Sequence, residues 1–209
     1  MRTDHELVFY HSPNTRSTGV LTLLEELAAE YRLQPLNMKE NEHRMPSFLS
    51  INSMGKVPTI THGNAVITEQ SAIYLYLADL YPDAGLAPEI GDPLRGPYLR
   101  WMVFYNSCFE PAIVDRSQKR DPAPRGMSPY GDFDSMLKTL VDQLEKNDYL
   151  LGDQFTAVDV LWGTSLGWIM KFQLIPTLPV FKNYIERINT RPSVTWARAK
   201  DAELAAKFA

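Results

Sequence analysis

The spacing of hydrophobic residues in the first part of the chain predicts alternating strands and helices. A short apolar run at residues 7–10, closed by Ser-Pro-Asn, predicts a buried strand. The apolar residues that follow recur at helical spacing with glutamates on the opposite face, and they are Val20, Leu23, Leu24, Leu27 and Tyr31. Residues 33–37 predict a second strand, and Pro35 places it near the edge of a sheet.

The next forty residues predict two more strands and two helices. Residues 45–51 suit a short helix, and strand-like segments at 57–61 and 65–67 are joined by His62-Gly63-Asn64, a compact hairpin turn. Glu69 opens a further helix with apolar residues on one face. The order β-α-β followed by β-β-α predicts a small four-stranded mixed sheet covered by helices.

Residues 82–97 contain four prolines and three glycines, which is typical of a domain boundary. Beyond them the strong periodicity is helical, apart from a polar, proline-broken loop at 115–131. The helical segments are 98–113, 136–147, 156–171, 179–189 and 193–206, and Thr156 with Asp159 forms a capping-box pattern. We therefore expect a first domain at 1–82, a linker at 83–97 and an all-helical domain at 98–209.

Composition narrows the class of protein. The chain has 209 residues, of which 44% are hydrophobic and 22% charged, as in an ordinary globular protein. The single cysteine, Cys108, excludes a disulfide framework and a cysteine-only zinc site, and the histidines lack metal-ligand spacing. A net charge of −4 without a long basic run argues against nucleic-acid binding. No leader pattern or bilayer-length apolar window is present, so we expect a cytoplasmic protein without a membrane partner.

The dipeptide Val57-Pro58 has two explanations. Proline has no N–H to donate, so it is tolerated at the start or the edge of a strand. Cis peptide bonds are also almost confined to X-Pro. The residues by themselves leave both open.

Three segments in this order resemble motifs of the cytosolic glutathione transferase family, in particular of its bacterial, theta-like and nu-like members. Val57-Pro58 resembles the family's cis-proline turn, where the residue before proline pairs with the cysteinyl part of glutathione. Glu69 with the following Ala72-Ile73 and Tyr76-Leu77 resembles a second signature, and residues 149–159 resemble the capping motif of the helical domain. The resemblance implies an α+β protein with a thioredoxin-like first domain and an all-α second domain. It also implies glutathione as co-substrate and a homodimer.

The resemblance places glutathione on two parts of the first domain. The helix start at Glu69-Gln70-Ser71 fits the γ-glutamyl carboxylate, because helix N-termini supply N–H donors and positive potential. Gln70 stands where the family usually has serine, so a hydroxyl, an amide or only main-chain donors remain as alternatives. Lys56 and His43 resemble residues that hold the glycyl carboxylate. Without the resemblance, Glu69 is an ordinary first-turn acid and the two basic residues are surface side chains.

Activation of the glutathione thiol requires a donor or a positive environment after the first strand, within the sequence YHSPNTRS. Tyr10 falls inside the strand, which leaves Ser12, Asn14, Thr15 and Ser17. Aligning on Ser-Pro-Asn makes Ser12 and Asn14 resemble the Thr-Pro-Asn of nu-class members. Aligning on the following helix brings Asn14, Thr15 and Ser17 near the catalytic positions of other classes. We take Asn14 with Ser12 or Ser17 as the catalytic group, and at least one hydroxyl is expected to cap a turn or helix.

A second substrate would lie against aromatic side chains of the helical domain, for which Tyr105 and Phe109 are the candidates by resemblance; both also suit core packing. Three functions follow. The first is conjugation of glutathione to a hydrophobic electrophile, as in detoxification. The second is a nu-type, glutathione-dependent disulfide-bond oxidoreductase. The third is a non-enzymatic adaptor that keeps the fold without the chemistry.

Overall fold

The computed structural model describes residues 6–121 and 123–209. The expectation that the chain has no leader sequence rests partly on residues 1–5, which lie outside the described residues. By contacts the chain divides into two units, described separately below. One runs to Ala84 and takes in Arg191–Ala209, and the other is Gly85–Thr190.

The first unit contains the four-stranded mixed sheet that the sequence predicts. Its strands are β1 (Leu7–His11), β2 (Arg32–Pro35), β3 (Thr59–His62) and β4 (Ala65–Ile67). They lie in the order β2-β1-β3-β4, with β1 parallel to β2 and the other two pairs antiparallel. All of β1 is buried because it is a central strand of a sheet that helices cover.

Four helices accompany this sheet. They are α1 (Thr18–Glu26), α2 (Pro46–Leu49), α3 (Gln70–Leu80) and α9 (Pro192–Lys207), and 3₁₀ turns occupy Glu42–Arg44 and Pro82–Ala84. The first three match segments that the hydrophobic spacing predicts as helices. The mixed sheet and its helices make this unit thioredoxin-like, as expected.

The last helix, α9, packs on α1 within the first unit, although the sequence places residues 98–209 together in a helical domain. The carboxylate of Glu26 at the end of α1 accepts two hydrogen bonds of 2.6 Å from the Arg191 guanidinium. It also accepts one from the Ser193 hydroxyl. Burial acts to raise the pKa of Glu26, but these partners outweigh it and leave the pKa below its ordinary value. This charge pair fixes the start of α9 against the first unit.

The second unit is all-helical, as the sequence predicts. Its helices are α4 (Arg95–Phe104), α5 (Glu110–Ser117), α6 (Phe133–Leu144), α7 (Ala157–Lys171) and α8 (Pro179–Asn189). A π-helical turn at Tyr105–Phe109 joins α4 to α5, and α5 extends into the segment expected to be a loop. Within the described ranges, no helix is long and apolar enough to cross a membrane.

Candidate functional site

The turn before β3 is held by one buried asparagine. The Asn52 amide nitrogen donates to the Lys56 carbonyl at 3.0 Å and to the Thr59 hydroxyl oxygen at 2.9 Å. The Asn52 amide oxygen accepts from the N–H of Met54 at 3.0 Å. Asparagine suits this position because its side chain supplies both donors and an acceptor. The turn that leads into Val57-Pro58 is therefore fixed from inside.

The Val57–Pro58 peptide bond is cis, so the second of the two explanations applies, and Pro58 also immediately precedes β3. Tyr10 of β1 pairs with Thr59 of β3, which sets Val57 and Pro58 beside the end of β1. Val57 makes no main-chain hydrogen bond with any residue that the structure describes. Its N–H and C=O are therefore available to an added extended segment, as in peptide recognition by strand addition.

The N-terminus of α3 is the second feature at this end of the sheet. Glu69 precedes the helix with a φ of 63° and an exposed side chain. A positive φ is uncommon for a residue other than glycine and is often found at functional sites. The first N–H groups of the helix have no intrahelical acceptor and create a positive end for an anion. Glu69 and the helix end thus combine a carboxylate with N–H donors.

The side chain of Gln70 turns inward rather than toward an incoming anion. It is only 5% exposed, and its Nε2 donates to the Arg16 carbonyl at 3.3 Å. This contact joins α3 to the loop that follows β1. The three alternatives for the carboxylate, namely the Gln70 amide, the Ser71 hydroxyl and the main-chain donors, stay predictions, and both side chains are buried.

The loop of residues 12–17 is organised around the hydroxyl of Ser17, which is fully buried. Its Oγ accepts from the Ser12 N–H at 3.2 Å and lies 2.7 Å from His11 Nδ1 and 2.7 Å from Thr15 Oγ1. The Thr15 hydroxyl in turn donates to the Ser12 carbonyl at 2.7 Å. Two of the four candidate side chains are therefore occupied in holding the loop.

The side chains of Ser12 and Asn14, unlike those of Thr15 and Ser17, do not hold the loop together. The Ser12 hydroxyl has no hydrogen bond to the described residues, and the side chain of Asn14 is exposed. Asn14 adopts a φ of 58°, in the left-handed region that asparagine tolerates better than most residues. The loop therefore leaves one buried hydroxyl, that of Ser12, and one exposed amide, that of Asn14, outside its own side-chain hydrogen bonds.

Asp201 of α9 contacts this loop, and sequence reasoning missed it. One carboxylate oxygen accepts from the Asn14 N–H at 2.8 Å, and the other accepts from the Thr18 hydroxyl at 2.8 Å. That second oxygen also lies 3.1 Å from His11 Nε2. Burial acts to raise the pKa of Asp201, but these partners outweigh it and leave the pKa below its ordinary value. No local pattern signals this contact, since it joins opposite ends of the chain.

The two basic candidates lie on adjoining segments. Arg44, next to His43, donates to the Met54 carbonyl at 3.1 Å. A Cβ added to Gly55 would lie 2.7 Å from the His43 carbonyl oxygen, so the two backbones are in close contact beside Lys56. Lys56 is exposed and His43 is half-buried. Their interpretation as carboxylate-binding residues stays a prediction.

Tyr105 and Phe109 have the packing of core residues in the second unit. Both are buried, and their rings lie 5.2 Å and 4.7 Å from that of Trp162. The Tyr105 hydroxyl donates to Ser165 Oγ at 2.9 Å. Their assignment to a second-substrate site stays a prediction.

Taken together, the site in the first unit can recognise a small peptide-like anion. It offers an unpaired strand edge at Val57, a helix N-terminus beside Glu69, and polar groups on the loop after β1. Among the residues that the structure describes, no three metal-ligating side chains come together.

Comparisons with known proteins agree with this architecture. Residues 6–79 match the family model for the glutathione S-transferase N-terminal domain, and residues 131–192 match the model for the C-terminal domain. Glutathione S-transferase F13 of Arabidopsis thaliana is 29% identical over 188 residues, which are 83% of this chain and 86% of the relative. The disulfide-bond oxidoreductase YfcG of Escherichia coli (strain K12) is 24% identical over 205 residues, 91% of this chain and 94% of the relative.

A solved structure of a sphingomonad glutathione S-transferase complexed with glutathione aligns with a TM-score of 0.76 and 28% identity. The alignment covers 93% of this chain and 98% of that one. Both family models, the curated relatives and this structural similarity agree with the thioredoxin-like sheet and the helical unit. The chain therefore belongs to the cytosolic glutathione S-transferase family.

Proposed function

We propose that the protein is a glutathione transferase that binds glutathione at the end of the first unit's sheet and directs its thiolate to a hydrophobic electrophile. The observation that carries this proposal is the convergence of three features on one end of the sheet. They are the unpaired main chain of Val57 before a cis proline, the N-terminus of α3 behind Glu69, and the loop of residues 12–17. Relatives with this fold include a transferase whose structure holds glutathione.

Each part of glutathione has a matching group. Val57 pairs with the cysteinyl main chain, and the N–H groups at the start of α3, with the Ser71 hydroxyl, receive the γ-glutamyl carboxylate. Glu69 accepts from the α-amine, because an exposed carboxylate is the complementary partner of an ammonium group. Lys56 and His43 face the glycyl carboxylate. Gln70 joins α3 to the loop through the Arg16 carbonyl, and its assignment to glutathione binding stays a prediction.

The thiolate is stabilised by the Ser12 hydroxyl and the Asn14 amide. Hydrogen bonds to the charged form lower the pKa of a thiol, and these two groups are not used in holding the loop. In the reaction, the thiol proton passes to solvent and the thiolate sulfur forms a bond to an electrophilic carbon. The leaving group departs with the electron pair of the bond that breaks.

A second candidate is a disulfide-bond oxidoreductase, and the similarity to YfcG favours it. In that reaction two glutathione thiols reduce one disulfide to two thiols and become glutathione disulfide, without a protein cysteine. The segment Ser12-Pro13-Asn14 resembles the Thr-Pro-Asn of nu-class members, with serine in place of threonine.

We also propose a cytoplasmic homodimer that acts in detoxification. Exposed apolar side chains on both units support the dimer, including Met54 in the first unit and Val103 on α4, which are 62% and 55% exposed. Contiguous exposed apolar patches often mark association surfaces, and sedimentation tests whether these side chains belong to one.

Calorimetric titration with reduced glutathione, and separately with glutathione disulfide, tests the proposal. The transferase requires saturable binding of the reduced form, and Glu69→Gln should weaken it about tenfold through loss of the charged partner. Glu25→Gln, an exposed carboxylate on α1, is the matched control and should bind normally. Sedimentation of the same samples reports whether the protein is a dimer.

The outcomes separate the candidate functions. Preference for the disulfide, with reduction of a small-molecule disulfide by glutathione, would favour the oxidoreductase. Turnover of an activated aryl chloride would favour the transferase. A folded protein that binds neither form of glutathione would refute both enzymes and leave the adaptor.

A further inference from the structure

We propose that Asp201, on the last helix, is a positioning residue for thiol activation: it holds the loop of residues 12–17 in its working shape through Asn14, Thr18 and His11. This inference rests on the proposed function for its consequence in catalysis. Its structural part concerns contacts within the first unit only.

The Asp201 carboxylate is shared among three partners. Its Oδ2 accepts from the Asn14 N–H at 2.8 Å, directly at the tip of the loop. Its Oδ1 accepts from the Thr18 hydroxyl at 2.8 Å, at the start of α1, and lies 3.1 Å from His11 Nε2, at the end of β1. One side chain thus contacts the residue before the loop, a residue within it and the residue after it.

The contact continues from His11 into the loop. A carboxylate beside Nε2 favours the tautomer with a proton on that nitrogen, which leaves Nδ1 as an acceptor for the Ser17 O–H at 2.7 Å. The Ser12 carbonyl oxygen, 3.0 Å from Ser17 Oγ, is a second acceptor for the same proton. Ser17 Oγ is then free to accept the Ser12 N–H at 3.2 Å. The Thr15 hydroxyl takes the Ser12 carbonyl at 2.7 Å. In this assignment the Ser12 N–H and the hydroxyls of Thr15 and Ser17 each have an acceptor. His11 Nε2 lies 3.1 Å from Asp201 Oδ1 but without the geometry of a hydrogen bond, so its contact with the carboxylate is electrostatic.

The order Asp201, His11, Ser17 has the sequence of groups found in a hydrolytic triad, but the surroundings exclude that use. Ser17 is fully buried, and its oxygen is engaged by the loop's own main chain. A nucleophilic serine must reach a substrate. The contacts among Asp201, His11 and Ser17 therefore stabilise the loop. They fix the N–H and C=O of Ser12 and so set the direction of the Ser12 side chain.

Asn14 is held by the same carboxylate. Its backbone has a φ of 58°, a conformation that an isolated residue other than glycine seldom keeps without support. The N–H bond to Asp201 supplies that support. The contacts described above make the placement of both Ser12 and Asn14 depend on Asp201. These are the two residues proposed to contact the thiol, so the placement of the thiol-binding groups depends on this carboxylate.

The test compares Asp201→Asn with Glu203→Gln in the full-length protein. Asparagine keeps the size of the side chain but replaces one oxygen with a donor, which must then oppose an N–H or O–H donor. Glu203 lies on the same helix, is exposed and contacts only Lys200 and Lys207 among the described residues, so it is a matched control. Two measurements are made: amide hydrogen exchange without ligand, and steady-state kinetics.

In Asp201→Asn, exchange at the Asn14 and Ser12 amides should accelerate about tenfold or more, and kcat should fall by a similar factor. The KM for glutathione should stay within about twofold, because the groups that bind its carboxylates are untouched. A general loss of packing would instead raise KM and accelerate exchange throughout the first unit. Glu203→Gln should leave both measurements unchanged.

Thr18→Val, which removes one donor and keeps the carboxylate, decides the matter if Asp201→Asn does not fold. In this variant, exchange at the Asn14 and Ser12 amides should accelerate about threefold, and kcat should fall by a similar factor. Unchanged exchange at Asn14 and Ser12 in a folded variant overturns the proposal, as does an unchanged kcat. If the natural protein does not turn over glutathione, the proposed function fails, while hydrogen exchange still decides whether Asp201 holds the loop.

Discussion

Replacing Asp159 with asparagine should destabilise the second unit strongly and in a pH-dependent manner. Asp159 Oδ1 accepts from the Leu150 N–H and the Tyr184 hydroxyl, both at 2.9 Å. Its Oδ2 accepts from the N–H of Thr156 at 2.9 Å and from the Thr156 hydroxyl at 3.2 Å. In Asp159→Asn an NH₂ group must face one of these two pairs of donors. Each buried donor without an acceptor costs about 1–3 kcal/mol, so the loss of one pair of acceptor contacts should lower the free energy of unfolding by about 2–6 kcal/mol.

The pH dependence follows from the burial of the same carboxyl. Burial raises the pKa of Asp159 to about 6, although the hydrogen bonds from Leu150, Thr156 and Tyr184 act to lower it. The folded pKa lies above the ordinary value of 3.8, so protonation favours the folded state, and this stabilisation is lost as the pH rises through 6. The full stabilisation of the folded state by protonation of Asp159 is about 3 kcal/mol, and about 1 kcal/mol of it is lost between pH 5 and pH 7. The variant lacks this titrating group and does not gain this stabilisation at low pH. Its deficit, meaning the difference in free energy of unfolding from the natural protein, should therefore be about 1 kcal/mol larger at pH 5 than at pH 7.

Urea unfolding at pH 5 and pH 7, followed by tryptophan fluorescence, measures both quantities. Asp153→Asn serves as the control, because Asp153 is an exposed carboxylate a few residues earlier in the chain. Its unfolding midpoint should move little at either pH. A deficit for Asp159→Asn that shrinks on going from pH 7 to pH 5 would refute the assignment of the raised pKa. A deficit no larger than that of Asp153→Asn would refute the role of the four donors.

One substitution in each unit tests a further contact: Gly163→Ala in the second unit, with Gly167→Ala as its control, and Glu26→Gln in the first. Gly163→Ala on α7 should lower the free energy of unfolding by about 1–3 kcal/mol in a urea titration, since the added Cβ would overlap the side chain of Ile188. Gly167→Ala, whose Cβ would meet its nearest neighbour at 3.5 Å, should be nearly neutral, and equal effects would contradict the packing argument. Glu26→Gln should destabilise the first unit near pH 7, because it breaks the bidentate pair with Arg191. The pKa of Glu26 is lowered in the folded state, so thermal unfolding should show the deficit vanishing as the pH falls through that pKa, and a deficit that persists in acid would contradict this role.

Much of the fold could be predicted because its signals are local. The strands and the hairpin at Gly63 follow from hydrophobic period and turn residues, and both signals have short-range physical causes. The capping box at Thr156 and Asp159 is likewise a pattern over four residues, and the structure contains it. Helix α9 was predicted as a helix, but its partner was not. A hydrophobic spacing identifies a buried face without identifying what covers it.

The site was less predictable for a different reason. Four polar side chains follow β1 within six residues, and a two-residue change in alignment exchanges their roles. What separates them is a set of contacts among Ser17, His11 and Asp201, and the last of these lies far along the chain. The adjacency of His11 and Ser12 indicates no relay, and the actual partner of His11 is Ser17. Such contacts depend on tertiary packing, which no local pattern encodes.

The distribution of hydrogen bonds within the loop also identifies the groups that are left for the thiol. The hydroxyls of Thr15, Ser17 and Thr18 are each engaged in holding the backbone or Asp201. A hydroxyl that already donates to a protein acceptor would have to exchange that bond for one to sulfur, at the cost of leaving a buried carbonyl or carboxylate with one donor fewer. The Ser12 hydroxyl and the Asn14 amide incur no such cost. The loop thus separates the side chains that maintain its shape from the two that are proposed to contact the thiol, Ser12 and Asn14.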